Sequence, residues 1–389
     1  MLRYFTSGES HGEALVAFLS GLPAGLRVDQ AFLDRELWRR QQGYGRGGRM
    51  KIETDRAHIL SGVHHGITIG SPISVLLENK DWKNWQDSLP VEEGDPAKHK
   101  AVKSPRPGHA DLAGALKYNF SEARYVLERA SARESAARVA IGALAKLFLG
   151  ELGVEVLSHV ISVGSASLDR VAEWAEIRAT ASKDRVLLSC VDATVEQRMK
   201  DEVDKVLRTG DSVGGVFEVV AHHVPPGLGT YAQWDERLDA QLAAAVMSLQ
   251  AVKAVEIGAG ITAASSPGSA VHDEIGYEAD SFTKFSRAHN NAGGIEGGVS
   301  NGEDIRIRGY LKPISTLRRP LQSVSFETRE PVKAAYERSD VCVVPAAGVS
   351  AEAMVALTLA RNALEKFGGD SMLETKRNFA GYLEQLKRF

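Results

Sequence analysis

Two hydrophobic rhythms, one of helical spacing and one of alternating or short continuous runs, interleave from end to end of this chain. Residues 30–42 put Phe32, Leu33 and Leu37 on one helical face, with Asp29 placed as N-cap, and 50–54 then alternate as a strand. The run 73–77 (ISVLL) predicts a buried strand. Ser131 to Glu134 has the spacing of a capping box and opens an alanine-rich helix to about Leu149. Val195, Met199, Val203 and Val206 form a helical stripe ending at Gly210. Further helices are predicted over 234–249 and 350–367, the latter stopped by Gly368-Gly369. A second capping box, Ser371 to Glu374, starts the last helix, and strands are expected near 216–221, 303–310 and 341–344. No repeat, low-complexity tract or linker breaks the pattern. It reads as a mixed α and β protein, one integrated body over residues 1–389.

Composition narrows the function. Hydrophobic residues make up 43% and charged residues 25% of 389, ordinary for a globular protein. The formal net charge of −3 gives no general attraction to nucleic acid or anionic membrane. Two cysteines, Cys190 and Cys342, build neither a disulfide framework nor a four-thiolate zinc site, which suits a reducing, cytoplasmic home. No apolar run approaches the roughly 20 residues that span a bilayer. Glycine is in excess, 37 residues where average usage gives roughly 27, and the excess is clustered.

Several motifs invite readings that their context denies. Gly8-Glu9-Ser10-His11-Gly12 matches the nucleophile elbow of α/β-hydrolases but lacks the preceding oxyanion loop. Gly43–Gly48 matches G-x-G-x-x-G but follows a helix and enters a strand; the match beginning at Gly258 follows a strand but meets Pro267. Arg46-Gly47-Gly48-Arg49 is a single RGG-like fragment in an acidic protein, not an RNA-binding tract. His64-His65 and His222-His223 would point to opposite faces of a strand, which argues against chelation by either pair.

What remains points to anions. Arg39, Arg40, Arg46 and Arg49 lie within eleven residues. A solvated helix face explains the first two alone; the two around the glycine turn suit forked contacts to a phosphate or carboxylate ligand. Arg106 and His109 share a stiff turn, and Arg129, Ser131 and Arg133 head a helix whose N-terminus favours phosphate. Asn290–Gly298 suggests backbone against a flat ligand. Lys312-Pro313-Ile314-Ser315-Thr316 adds a charge and two hydroxyls, and Arg338-Ser339-Asp340 sets a guanidinium beside a carboxylate. The set calls for an anionic substrate beside an anionic planar cofactor, with proton transfers but no metal and no protein nucleophile.

The blocks GESHG at 8–12, GYGRGGRM at 43–50, SPRPGHADL at 104–112 and RASARESAARVA at 129–140 resemble the chorismate synthase family. So do AVKAVEIG at 251–258, NNAGGIEGGVSNG at 290–302, KPIST at 312–316 and RSDVCVVPAAGV at 338–349, all in the family's order; stretches such as 80–103 and 164–185 carry no match. The resemblance implies a compact α+β sandwich with helices packed between β-sheets, assembled as a homotetramer. It implies a lyase that converts 5-enolpyruvylshikimate 3-phosphate to chorismate and phosphate by 1,4-anti elimination using reduced FMN, the seventh step of the shikimate pathway. His109 is then the acid toward the leaving phosphate, His11 keeps a proton on the flavin, and Asp340 helps to take the proton from flavin N5. Arg46, Arg49, Arg106, Arg133 and Arg338 hold the substrate, with Ser10 beside them. Arg129, Ala130, Ser131, Gln250, Ala251, Gly297, Lys312, Pro313, Ile314, Ser315, Thr316 and Arg338 match positions that line FMN. Arg40 and Arg46 match positions assigned to NADPH, although the substrate is an equal claimant. The flavin is reduced either by the enzyme or by a separate flavin reductase.

Overall fold

The computed structural model describes residues 1–47, 54–279, 283–337 and 340–389. The expected strand at 50–54, apart from Thr54, lies outside them, as do Arg49 and Arg338.

Two sheets bracket a helical middle. The first contains β1 (Arg3–Ser7), β2 (Ala14–Ser20), β3 (His58–Ile59) and β4 (Ile73–Glu78), in the order β1-β2-β4-β3. Antiparallel register sets Leu15 opposite Leu77, Ala17 opposite Val75 and Leu19 opposite Ile73, so one face is apolar throughout. The second contains β5 (Glu155–Val163), β6 (Ala166–Ser167), β7 (Gly215–His222), β8 (Val252–Ile257) and β9 (Ile305–Leu311), in the order β8-β9-β7-β5-β6. Between the sheets run α4 (Ser135–Gly150) and α7 (Val344–Phe367), with α1 (Gln30–Gln41) packed on both and α6 (Leu238–Met247) on α7 and β8. α2 (Asp111–Tyr118) packs on α3 (Arg124–Ala130), α5 (Ala193–Thr209) on β5 and β6, and α8 (Met372–Lys387) on α7.

α4 packs on β2 and β4, α7 packs on β5 and β7, and the two helices pack on each other. Both are buried nearly all round, as a helix between two layers must be. They cross at Gly142, where a Cβ would come within 2.3 Å of the Cβ of Ala353, so only glycine allows this approach. A single apolar cluster runs from Leu2 to Met372 through both sheets and the helices.

Most predicted elements are present. Asp29 caps α1 by accepting from the N–H groups of Ala31 and Phe32, and Gly210 ends α5 in the left-handed region. The helix expected over 234–249 is shorter, and the one expected from 350 already begins at Val344. The strand at 341–344 does not form. Val341 donates to the Gly45 carbonyl and accepts from Val213, and these tertiary bonds turn the apolar run into the lead-in of α7. At 131–134 a short 3-10 turn precedes α4; Ser131 caps it, but Glu134 turns to Arg138, Thr6 and Gln250 instead of closing a box. In the Ser371 box, Glu374 reaches the N–H of Asp370, one residue early. His222 and His223 do not oppose each other: His223 has φ 60, and the two rings stack at 3.8 Å.

Candidate functional site

The loop joining β1 and β2 carries Ser10 and His11, and two neighbours hold it. The buried amide of Asn79, just after β4, donates to the carbonyls of Glu9 (3.1 Å) and Gly12 (2.7 Å). Ser10 donates its N–H to the Glu128 carbonyl on α3 (2.9 Å) and its hydroxyl lies 3.1 Å from that of Ser131. The Oδ1 of Asn79 accepts from Nε of Arg133 at 2.9 Å. One amide thus ties the glycine loop to the first guanidinium of the site.

Three guanidinium groups gather there. Arg133 reaches Asp55 at 2.6 Å. Arg40, at the end of α1, donates to the Ser135 hydroxyl (2.9 Å) and the Ala132 carbonyl (2.8 Å), and its Nη1 stands 3.6 Å from Asp55 with no hydrogen bond. Arg46 pairs with Asp340 at 3.0 Å, while the other oxygen of Asp340 accepts from the N–H of Gly47 at 2.5 Å. Arg40 feels Arg133 and Arg46 as well as Asp55 and Asp340; burial first, then those two like charges, bring its pKa down to about 10. Among the described residues this cluster sets three cations against two carboxylates. The expectation of a solvated helix face at Arg39 and Arg40 is overturned: both are buried. Arg39 turns away from the site, into an internal network with Glu36, Glu352 and Lys146.

A second wall continues from this cluster. Arg129 donates to the carbonyls of Gly8 and Thr6 (3.1 and 2.8 Å). Ala130 ends α3 and Ser131 follows it. Glu134 accepts from Thr6 and from Gln250 (both 3.1 Å). Ala251, with φ 71, accepts from the N–H of Lys312 at 3.0 Å. The Lys312 ammonium reaches the Gly108 carbonyl at 2.8 Å, next to His109, and burial lowers its pKa. Pro313 follows, the Ile314 carbonyl accepts from Ser212 (2.6 Å), and Ser315 lies beside Gly108. Thr316 accepts from Arg106 at 2.9 Å.

Each histidine rests on a buried carboxylate. Glu128 accepts from the backbone N–H of His11 (2.7 Å) and from its Nδ1 (2.9 Å). Asp111 lies 2.5 Å from Nδ1 of His109. Burial alone would raise both carboxyls, but bonds from His11, and from His109 and Arg106, hold them below their ordinary values. The ionised Asp111 can only accept, so Nδ1 of His109 carries the proton, and the nearby Arg106 Nη2 is a contact to that nitrogen. Arg106, expected to grip substrate, is forked onto Asp111 at 2.8 and 2.9 Å.

Other expectations are redirected. Gly297 lies in a hairpin turn beside Tyr231, near the N-terminal end of α6, while Gln250 follows the other end of that helix. The glycines of 290–298 do not all face a ligand, since a Cβ at Gly258 would meet the Asn291 carbonyl at 2.2 Å and one at Gly293 would meet Gly258; the chain packs backbone on backbone there. Asn79, Asp55, Glu128 and Asp111 escaped the sequence reading. The last two sit within or beside matched blocks, so a search for acids near each histidine would have found them. A cavity of about 570 Å³ opens beside β3 and β4, lined by Thr54, Arg56, His58 and Glu78 among others, and none of the predicted site residues lines it.

Among the described residues no group of histidine, cysteine and acidic side chains could hold a metal, and no helix is long and apolar enough to cross a membrane.

Comparison with known proteins gives the chain its family. The family model described as chorismate synthase matches residues 2–364. Curated chorismate synthases of Koribacter versatilis and Acidobacterium capsulatum are 73% and 70% identical, with full coverage of both chains. A crystal structure of chorismate synthase superposes with a TM-score of 0.79 at 39% identity, covering 100% of this chain and 99% of the other. Alike in sequence and in fold along its whole length, the chain belongs to the chorismate synthase family of the shikimate pathway.

Proposed function

We propose that the chain converts 5-enolpyruvylshikimate 3-phosphate to chorismate and phosphate by 1,4-anti elimination with reduced FMN. The observation that carries this reading is the charge imbalance around Arg40: Nη1 is buried without a hydrogen bond amid three guanidiniums and two carboxylates, an environment that an entering phosphate or carboxylate completes. Arg40, Arg46 and Arg133 are placed to hold such groups, with Arg49 and Arg338 as further members by resemblance. In a site closed to water their charge is worth more than at a surface. This burial favours substrate over NADPH as the partner of Arg40 and Arg46.

The second wall fits a flavin phosphate and ring edge in its chemistry: Arg129 and Ser131 on one segment and Lys312 and Ser315 on another bring donors to it, the two segments being linked through Gln250 to Glu134 and Ala251 to Lys312. When bound, reduced FMN supplies the reducing equivalent that weakens the allylic C–O bond. The protein does the rest. Asp111 fixes the Nδ1 proton of His109, so Nε2, which Arg106 Nη2 approaches only at 3.4 Å, is the nitrogen to serve the leaving phosphate. His11 is held in the same manner at the other wall. Asp340, held by Arg46 and the N–H of Gly47, is the carboxylate that would receive the flavin N5 proton. One catalytic domain over 1–389, four chains to the assembly, and NADPH or a separate reductase as the source of electrons belong to the same proposal.

An anaerobic assay with reduced FMN and the enolpyruvyl substrate tests it: chorismate and inorganic phosphate appear in equal amounts. His11→Ala and His109→Ala each lower turnover by about 10²–10⁴ with the fold retained, measured by circular dichroism alongside the assay. Failure to release phosphate, or wild-type turnover in both variants, removes this reading.

A further inference from the structure

His11 is fixed more tightly than a loop residue needs to be. The carboxylate of Glu128 takes two donors from that one residue, the backbone N–H on one oxygen (2.7 Å) and ring Nδ1 on the other (2.9 Å). Glu128 is itself only 3% exposed and has Arg124 one helical turn back at 3.4 Å. Arg124 also donates to the Lys100 carbonyl (2.7 Å) and to Glu337 (2.8 Å), which anchors this corner on three sides. Against the ring of His11 lies Trp85, with centroids 4.0 Å apart and planes 27° from parallel. Trp85 comes from the stretch 80–103, which matches no family motif. Its own ring is held by Nε1 donating to Asp81 (3.2 Å) and by the Lys100 ammonium 4.1 Å from its centroid.

The chemistry of these contacts selects a tautomer. An ionised carboxylate has no proton to give, so Nδ1 of His11 must be the donor. Turning the ring over would set a carbon against Glu128 and leave its buried Oε1 with only the longer bond from Arg124 at 3.4 Å, and the indole plane opposes any tilt. Nε2 is thereby directed away from Glu128. We propose that Glu128 and Trp85 are positioning residues for the reaction: Glu128 pins His11 in the Nδ1–H form and Trp85 fixes its plane, so that Nε2 is the nitrogen presented to bound ligands. This rests on the reading of His11 as a proton-handling group. It differs from that reading in being measurable without substrate.

The full chain, labelled with ¹⁵N-histidine and assigned with a His11→Gln variant, reports the protonation of each ring nitrogen by NMR near neutral pH without ligand. The wild type shows a protonated Nδ1 at His11. In Glu128→Leu the population moves to Nε2–H, whereas Glu128→Gln, whose amide oxygen still accepts, keeps Nδ1–H. In the anaerobic assay Glu128→Leu and Trp85→Leu lower kcat by about 10–100-fold, with KM within about threefold, and Glu128→Gln recovers most of the loss. A bare Nδ1 in the wild type overturns the inference without any variant. So does an unchanged tautomer in Glu128→Leu, or a loss that falls on KM alone. Failure of the reading of His11 as a proton-handling group shows separately, as full turnover in His11→Ala.

Discussion

Arg39 and Arg40 are consecutive residues at the end of α1, both buried, and they serve opposite ends. Arg39 enters a closed set with Lys146, Glu36 and Glu352, two cations and two anions. The two carboxylates are bonded by both cations, and Glu352 also accepts from the N–H and hydroxyl of Ser158. Nothing is left to offer a ligand. Arg40 enters an open set, where Asp55 and Asp340 face Arg46 and Arg133 as well, and where its own Nη1 lacks a bond. A balanced buried cluster is cement between α1, α4, α7 and β5; the other, three cations to two carboxylates among the described residues, is the one proposed above to take an anion. Counting buried arginines says little. Counting their counter-charges separates structure from function.

This contrast can be broken experimentally. The largest effect is expected from Lys146→Met, which leaves two buried carboxylates to one guanidinium and destabilises the fold by about 3–5 kcal/mol in urea denaturation. Equal stability to wild type would mean that the closed set is not cement. Next comes acid. Burial would raise the carboxyl of Glu36, but Lys146 and Arg39 bring it down to about 2 from 4.5. A lowered value gives stability that is present above pH 4.5 and lost as pH falls from there toward 2, a few kcal/mol in all. Glu36→Gln removes this acid-sensitive contribution, so its stability should vary less with pH over that window than the wild type's. The smallest change in stability, about 1 kcal/mol, is expected from Arg40→Met, since Asp55 keeps Arg133. That variant binds the phosphorylated substrate about 10–100-fold more weakly by titration. Undiminished binding would place the anion elsewhere.

How far the sequence carries follows from where each determinant lies. Asp29 and Gly210 were legible because a helix cap is made by residues a few positions from those it serves. The apolar run at 341–344 was not, because four apolar residues fit either element and the deciding bonds come from Gly45 and Val213. The basic turns pointed to anion chemistry, the reading proposed above, and several matched blocks do meet in space. The split between Arg39 and Arg40 was hidden, since it depends on Glu352 and Asp55, far away in the chain. The same distance hid the bond from Arg106 to Thr316 and the wall that Trp85 gives to His11.

The crossing at Gly142 reaches further than packing. Arg133 lies just ahead of α4, and Asp340, partner of Arg46, lies just ahead of α7. The clearance between these two helices therefore acts as a gauge block for the width of the mouth between their leading ends. A methyl group at position 142 would not merely crowd the interior: it would push the jaws apart, and a grip tuned to one anion would slacken at a distance from the change.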